Sequence, residues 1–180
     1  GSLGPTSAKK LSFEADLASK LDQGEEGIQK MKLAIDNAKT EEKKRALMYD
    51  LARMYLDKKS ISDGVQTYRD LLSKCPKGGN LELCRRASVG IADENFKLKN
   101  WDVAEKYYKK TLEEFEDVKD NPWSQYQLGN IYAKQRKFSA AVKAYNLVQE
   151  NFSESYWASQ AQWKRDDTIW RKEYEGVLTQ

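Results

Sequence analysis

The stretch "SQYQLGNIYAKQRKFSAAVKAYNLVQENF", residues 124–152, decides how this chain folds. In it Leu128-Gly129 is followed by Tyr132, Phe138, Ala141, Tyr145 and Val148. The same order recurs upstream in "RRASVGIADENFKLKNWDVAEKYYKKTL", where Ile91-Ala92 precedes Phe96, Trp101, Ala104, Tyr108 and Thr111. It recurs again in "RALMYDLARMYLDKKSISDGVQTYRDLLSKCP", with Leu51-Ala52, Tyr55, Ile61, Gly64, Tyr68, Leu71 and Pro76. Each unit sets one small residue (Ala52, Ala92, Gly129) twelve positions before another (Gly64, Ala104, Ala141), and an aromatic follows four positions later. That spacing describes two antiparallel helices: a small residue on each lets the backbones approach, and bulky residues one turn away fill the flanking grooves. The polar stretches "LDKKS", "LKN" and "KQRK" are the turns between them. Because each pair leaves an apolar face that only the next pair covers, the units are expected to stack.

Composition agrees. The 180 residues suit one domain able to bury a core without metals or a dense disulfide net. Charged residues are 33% and mean hydropathy is −0.85, yet 20 aromatics are too many for a disordered chain. With three prolines and ten glycines, turn signals are too few for a sandwich or barrel of short strands. The fold class expected is all-α, a right-handed solenoid of antiparallel hairpins closed by a C-terminal capping helix.

The repeats resemble the tetratricopeptide repeat, a family of 34-residue helical hairpins, in three units at 45–78, 85–118 and 122–155. The first fits best, since Pro76 stands where the family has its terminating proline. In the others Asn95 replaces the usual tyrosine, and Glu116 and Ser153 replace the proline. Residues 9–44 read as a degenerate leading hairpin, because Gly27-Ile28-Gln29 then Met31 parallels Gly64-Val65-Gln66 then Tyr68. Residues 156–180 read as a terminal aromatic helix. Gly1-Ser2 reads as a cleavage scar and residues 1–8 as disordered, so this end says nothing about a leader or anchor.

No histidine is present, which removes the commonest general base and metal ligand. No Walker loop, dinucleotide fingerprint or nucleophile elbow occurs, so no catalytic residue, metal or cofactor is expected, and the chain is read as no enzyme. The carboxylates Glu113, Glu114, Glu116 and Asp117 suit a solvated helix end and lack an EF-hand loop. The segments 1–44, 45–84, 85–121 and 122–180 carry 0, +2, −1 and +2, with no basic stripe for nucleic acid or anionic membrane. No stretch has the apolar length of a membrane span.

Three candidate sites follow. Cys75 and Cys84 bracket "PKGGNLEL" and are either a disulfide stapling this connection, which would mean an oxidising compartment, or two reduced, partly buried thiols. The second is the inner surface of the first helices. In the resembled family, ligands lie along it on fixed places of each unit. Carried over, these are Ala46, Tyr49, Arg53, Leu56 and Asp57; Arg86, Val89, Asp93, Phe96 and Lys97; Trp123, Tyr126, Asn130, Ala133 and Lys134. Tyr49, Trp123 and Tyr126 would be rigid anchors, and Arg53, Arg86, Asn130 and Lys134 would hold a peptide's backbone or carboxylates, with Asp93 and Lys97 beside them. The fixed Lys-Asn-Asn-Lys-Arg clamp of chaperone-binding members is disfavoured, since Tyr49 and Asp50 stand where it would begin. The third is the seven-residue recurrence Tyr156, Trp163, Trp170, Val177 on the last helix. Capping needs only Trp157, Ala158 and Ala161, so Trp163 and Trp170 are candidates for an oligomer or partner contact.

The expectation is a protein–protein interaction scaffold that docks a peptide, helix or subunit, with a self-associating structural protein or an adaptor domain of a larger enzyme as alternatives. The junction "FSESYWASQAQW", residues 152–163, is similar to the "YPxSxxAxxA" junction of bacterial cell-envelope members such as the Tol-Pal coordinator and the outer-membrane assembly lipoprotein. That implies a periplasmic or envelope address and a role in assembling a larger complex; a cytoplasmic address is the alternative.

Overall fold

In a computed structural model of the chain, residues 24–77, 82–115 and 121–178 are described, and every regular element among them is a helix. The first, α1, occupies residues 24–36. It is followed by α2 (Glu41–Asp57), α3 (Ile61–Ser73), α4 (Glu82–Lys97), α5 (Trp101–Glu114), α6 (Asn121–Lys134), α7 (Phe138–Asn151) and α8 (Tyr156–Leu178). The chain divides into two compact units, Gly1–Lys74 and Cys75–Gln180.

In the first unit α2 and α3 pack as the hairpin read from 45–78. Its opening helix starts before Arg45, because the Thr40 hydroxyl accepts a hydrogen bond from the Lys43 N–H at 3.2 Å and Glu41 and Glu42 complement the helix dipole. The small pair meets as expected: a Cβ added to Gly64 would lie 3.1 Å from the Ala52 carbonyl oxygen. Helix α1 lies along α2, with the Lys58 ammonium 2.6 Å from a Glu25 carboxylate oxygen and Lys32 5.8 Å from the centre of the Tyr55 ring. Residues 1–8, and the first half of the expected leading hairpin, lie outside the described residues.

The second unit repeats the arrangement as α4/α5 and α6/α7, with α5 packed on α6 and α8 on α7. Ala92 and Ala104 are fully buried in one apolar cluster with Tyr108, Leu128, Ile131 and Ala144, which spans both hairpins. A second cluster joins Tyr126, Ala141, Tyr145 and Val148 to Ala158 and Ala161, so the first turns of α8 cap the last hairpin. Removing a large apolar side chain such as Ile131 or Val148 from water is worth about 1.5–3 kcal/mol. This shared burial is what holds one hairpin to the next.

All three hairpin turns end their first helix in the same way. Lys59, Lys99 and Arg136 adopt left-handed φ values of 63°, 61° and 60°, where glycine is usual. Their amides and those of the next residues return to the helix, Lys99 N–H to the Phe96 carbonyl at 3.0 Å and Asn100 N–H to the Asn95 carbonyl at 2.9 Å, with matching bonds in the other two turns. Cys75 and Cys84, left open by the sequence, are bonded, with Cα atoms 6.1 Å apart and Cys84 fully buried.

Candidate functional site

Most candidate residues of the inner surface fall in the second unit, and the structure draws several of them into one line of hydrogen bonds. The Tyr108 hydroxyl donates to Asp93 Oδ1 at 2.5 Å, and the Trp123 indole N–H donates to the same oxygen at 2.9 Å. Gln127 Nε2 donates to the Tyr108 hydroxyl at 3.4 Å, Asn130 Nδ2 donates to Gln127 Oε1 at 2.7 Å, and the Tyr145 hydroxyl donates to Asn130 Oδ1 at 2.8 Å. The line crosses α4, α5, α6 and α7. Two of its bonds are the same bond repeated, from the tyrosine of the second helix to the residue fifteen places earlier on the first. Burial pushes the Asp93 carboxyl above its ordinary value, against the pull of the Tyr108 and Trp123 donors and of Lys97. Burial and the neighbouring Asp93 also push the Tyr108 hydroxyl well above the usual phenol range.

The aromatic candidates form a packed group. The rings of Trp123 and Trp157 are 4.5 Å apart and those of Tyr126 and Trp157 are stacked at 5.1 Å. Tyr126 is buried and Trp123 half-buried, so both serve chiefly to seat α8 on α6. Trp157, expected only as cap filling, is the ring they seat on. Arg86 is half-buried, 3.7 Å from Glu82, while Lys97 is exposed and paired with Glu94 at 2.6 Å. Lys134 is exposed. In the first unit Tyr49 is half-buried against the Tyr68 ring at 5.4 Å, and Arg53 is exposed.

On α8, Trp163 and Trp170 are 64% and 52% exposed, flanked by Tyr156 at 67% and Val177 at 68%. The heptad stripe therefore faces solvent, with Trp170 stacked on Tyr174 at 5.7 Å. The side of α8 next to this stripe, with the ends of α6 and α7, borders a cleft of about 390 Å³ lined by Lys134, Arg136, Lys164 and Arg171 among others. Sequence reasoning missed this cleft, because its cations come from two stretches some thirty residues apart. It also missed the tyrosine bonds, for which the signal was a polar Asp93 or Asn130 fifteen places before a buried tyrosine.

These features define a helical-repeat protein whose first-helix face is stiffened by internal hydrogen bonds. A family model described as the tetratricopeptide repeat matches residues 123–155, the α6/α7 hairpin with its exit. No curated protein matches the chain. Among solved structures it is similar to the kinesin light chain TPR-like repeats of Podosopora anserina, with a TM-score of 0.63, 13% identity, and 99% of this chain and 94% of that one covered. A singly substituted form of that protein gives the same values. It is also similar to MamA, with a TM-score of 0.54, 13% identity, and 90% and 96% covered. At these identities the likeness is one of fold: all-α, TPR-like helical hairpins. Proteins of this fold are generally non-enzymatic scaffolds for protein–protein interaction.

Proposed function

We propose that the chain docks a protein or peptide on the face formed by the first helices of the second unit's hairpins, α4 and α6, and serves the assembly of a larger complex. The observation that carries this reading is the hydrogen-bonded line from Trp123 through Asp93, Tyr108, Gln127 and Asn130 to Tyr145. A face fixed in this way loses little conformational freedom when a partner binds, which is where preorganised sites gain affinity. The Cys75–Cys84 bond supports an oxidising compartment, in keeping with the periplasmic or envelope address that the 152–163 junction implies.

A photo-crosslinking amino acid placed at Lys97 or Lys134 on first helices, and at Lys106 or Lys143 on second helices, tests the docking face in cells of the source. All four positions are exposed. Crosslinks to one shared partner from the first pair and none from the second are expected; equal crosslinking from both pairs would overturn the reading. A second reading, self-association through α8, is favoured by the exposure of Trp163 and Trp170.

A further inference from the structure

Among the described residues eight large apolar side chains stand exposed, and six of them, Tyr156, Trp163, Ile169, Trp170, Tyr174 and Val177, are on α8. Tyr156, Trp163, Trp170 and Val177 keep a strict seven-residue spacing, and Tyr174 lies one turn beyond Trp170. Together they make a seam on the side of α8 away from Ala158, Ala161 and Thr168, which are buried. The 23 residues of α8 hold three heptads over about 35 Å. A straight helix drifts by about 20° per heptad, so a seven-residue seam stays in contact along its length with another helix wound around it. The two flanks of the seam differ in charge. Three places after the seam residues come Ser159, Asp166 and Glu173; one place after them come Trp157, Lys164 and Arg171, with Asp167 beside Lys164 and Arg171. Some of these charges are tied within the chain, Asp166 to Arg165 at 2.9 Å and Asp167 to Arg171 at 2.9 Å. That leaves Glu173 on one flank and Lys164 on the other, neither in an ion pair among the described residues; Lys164 lies 5.2 Å from the centre of the Trp163 ring.

We propose that two copies of this chain pair through α8, parallel and in register, so that Trp163 and Trp170 of one copy stand opposite the same residues of the other. The proposal rests on the self-association reading above and adds to it the orientation and the register. Charge selects the orientation. In a parallel pair the flank of Glu173 faces the other copy's flank of Lys164, whereas an antiparallel pair sets each flank against its like. Area is sufficient. Covering the rings of Tyr156, Trp163, Trp170 and Tyr174 removes about 500 Å² per copy and about 1,000 Å² over both, the size at which specific interfaces begin. Packing permits it, since the seam lies across the helix from the face that seats α8 on α7, which leaves the two copies' hairpins on opposite sides of the pair.

The test is oxidative crosslinking of the intact chain carrying Tyr156→Cys or Val177→Cys singly, read on non-reducing gels beside sedimentation equilibrium over a concentration series. Cys75 and Cys84 are bonded to each other, so the added thiol is the one that reacts. Each single variant should give a covalent dimer, and Lys143→Cys, at an exposed position on α7, should give none. Lys164→Glu or Glu173→Lys alone gives both flanks one sign and should weaken the dimer severalfold; the two together exchange the flanks and should restore it. Crosslinking only when Tyr156→Cys and Val177→Cys are combined would mean an antiparallel pair and would overturn the proposal. So would a dimer that neither single cysteine traps, or one indifferent to the flank substitutions; self-association would survive all three. A chain monomeric at every concentration would end both. Sedimentation of the parent, but not of Trp163→Lys with Trp170→Lys, with phosphatidylcholine vesicles would give the seam to a lipid surface and overturn the proposal too.

Discussion

Gly129→Ala sets two effects of known size against each other. Gly129 lies inside α6, where alanine is favoured over glycine by about 1 kcal/mol. The structure opposes that gain. An added Cβ would overlap Cε1 of Tyr145 and stand 2.5 Å from its Cδ1 and 2.9 Å from its Cζ, well inside contact distance. Tyr145 has no room to retreat, being fully buried with its ring 6.0 Å from that of Tyr126 and its hydroxyl bonded to Asn130. Overpacking of this kind costs about 1–3 kcal/mol, and swinging the ring away loses a hydrogen bond worth about 0.5–1.5 kcal/mol. The net expectation is destabilisation by about 1–3 kcal/mol, or a fall of about 2–4 °C in melting temperature per kcal/mol for a chain of this size. Gly27→Ala is the internal control. There, among the described residues, the new Cβ meets only Met54 Cε at 3.2 Å, the tip of a flexible side chain, so stability should rise by up to about 1 kcal/mol. Thermal and urea unfolding followed by far-ultraviolet circular dichroism reads both. A Gly129→Ala protein as stable as the parent would refute the packing of α6 on α7 from which this reasoning starts.

Three further outcomes are expected. Because burial raises the Asp93 carboxyl, its contribution to stability is full below the ordinary carboxyl value and is lost as pH rises through the raised one. Asp93→Asn keeps an oxygen for Tyr108 and Trp123, so it should be at least as stable as the parent at neutral pH, with a flatter pH–stability curve; a loss above about 1 kcal/mol at neutral pH would contradict this. Denatured, unreduced protein should show no reactive thiol, and reduction should cost about 2–3 kcal/mol for a loop as short as that between Cys75 and Cys84; two titratable thiols would remove the support for an oxidising address. If α8 mediates self-association, light scattering across a concentration series should show a mass that rises for the parent and stays monomeric for Trp163→Lys with Trp170→Lys, whereas a parent monomeric throughout would dismiss that reading.

The hairpins were legible because close helix packing demands small residues, and Ala92 with Ala104 or Gly129 with Ala141 leave that demand in plain sequence. The turns were less so. Lys59, Lys99 and Arg136 take a left-handed conformation that a reader assigns to glycine, and it is held by the returning amides rather than by residue type. The cleft was hidden by averaging: charges counted along segments cancel, and only the packing of α8 beside α6 and α7 gathers Lys134 and Arg136 with Lys164 and Arg171. The bridge was undecidable from spacing, because a disulfide depends on where two Cβ atoms point.

The inner-surface residues show most clearly where helical periodicity stops being informative. Periodicity assigns Arg53, Asp93 and Asn130 to one equivalent place, yet a buried tyrosine must find a partner for its hydroxyl, and Tyr108 and Tyr145 take theirs from that place. Asp93 and Asn130 are thereby spent on the fold. Arg53 has no acceptor atom, so Tyr68 cannot donate to it as the other two tyrosines do, and its side chain is exposed. Asp93→Ala and Asn130→Ala should each cost about 1–3 kcal/mol by leaving a buried hydroxyl without its acceptor. Arg53→Ala should stay within about 0.5 kcal/mol of the parent, as surface substitutions do. Were Arg53→Ala as destabilising as the other two, the division between residues at this place that the fold uses and those it leaves at the surface would be wrong.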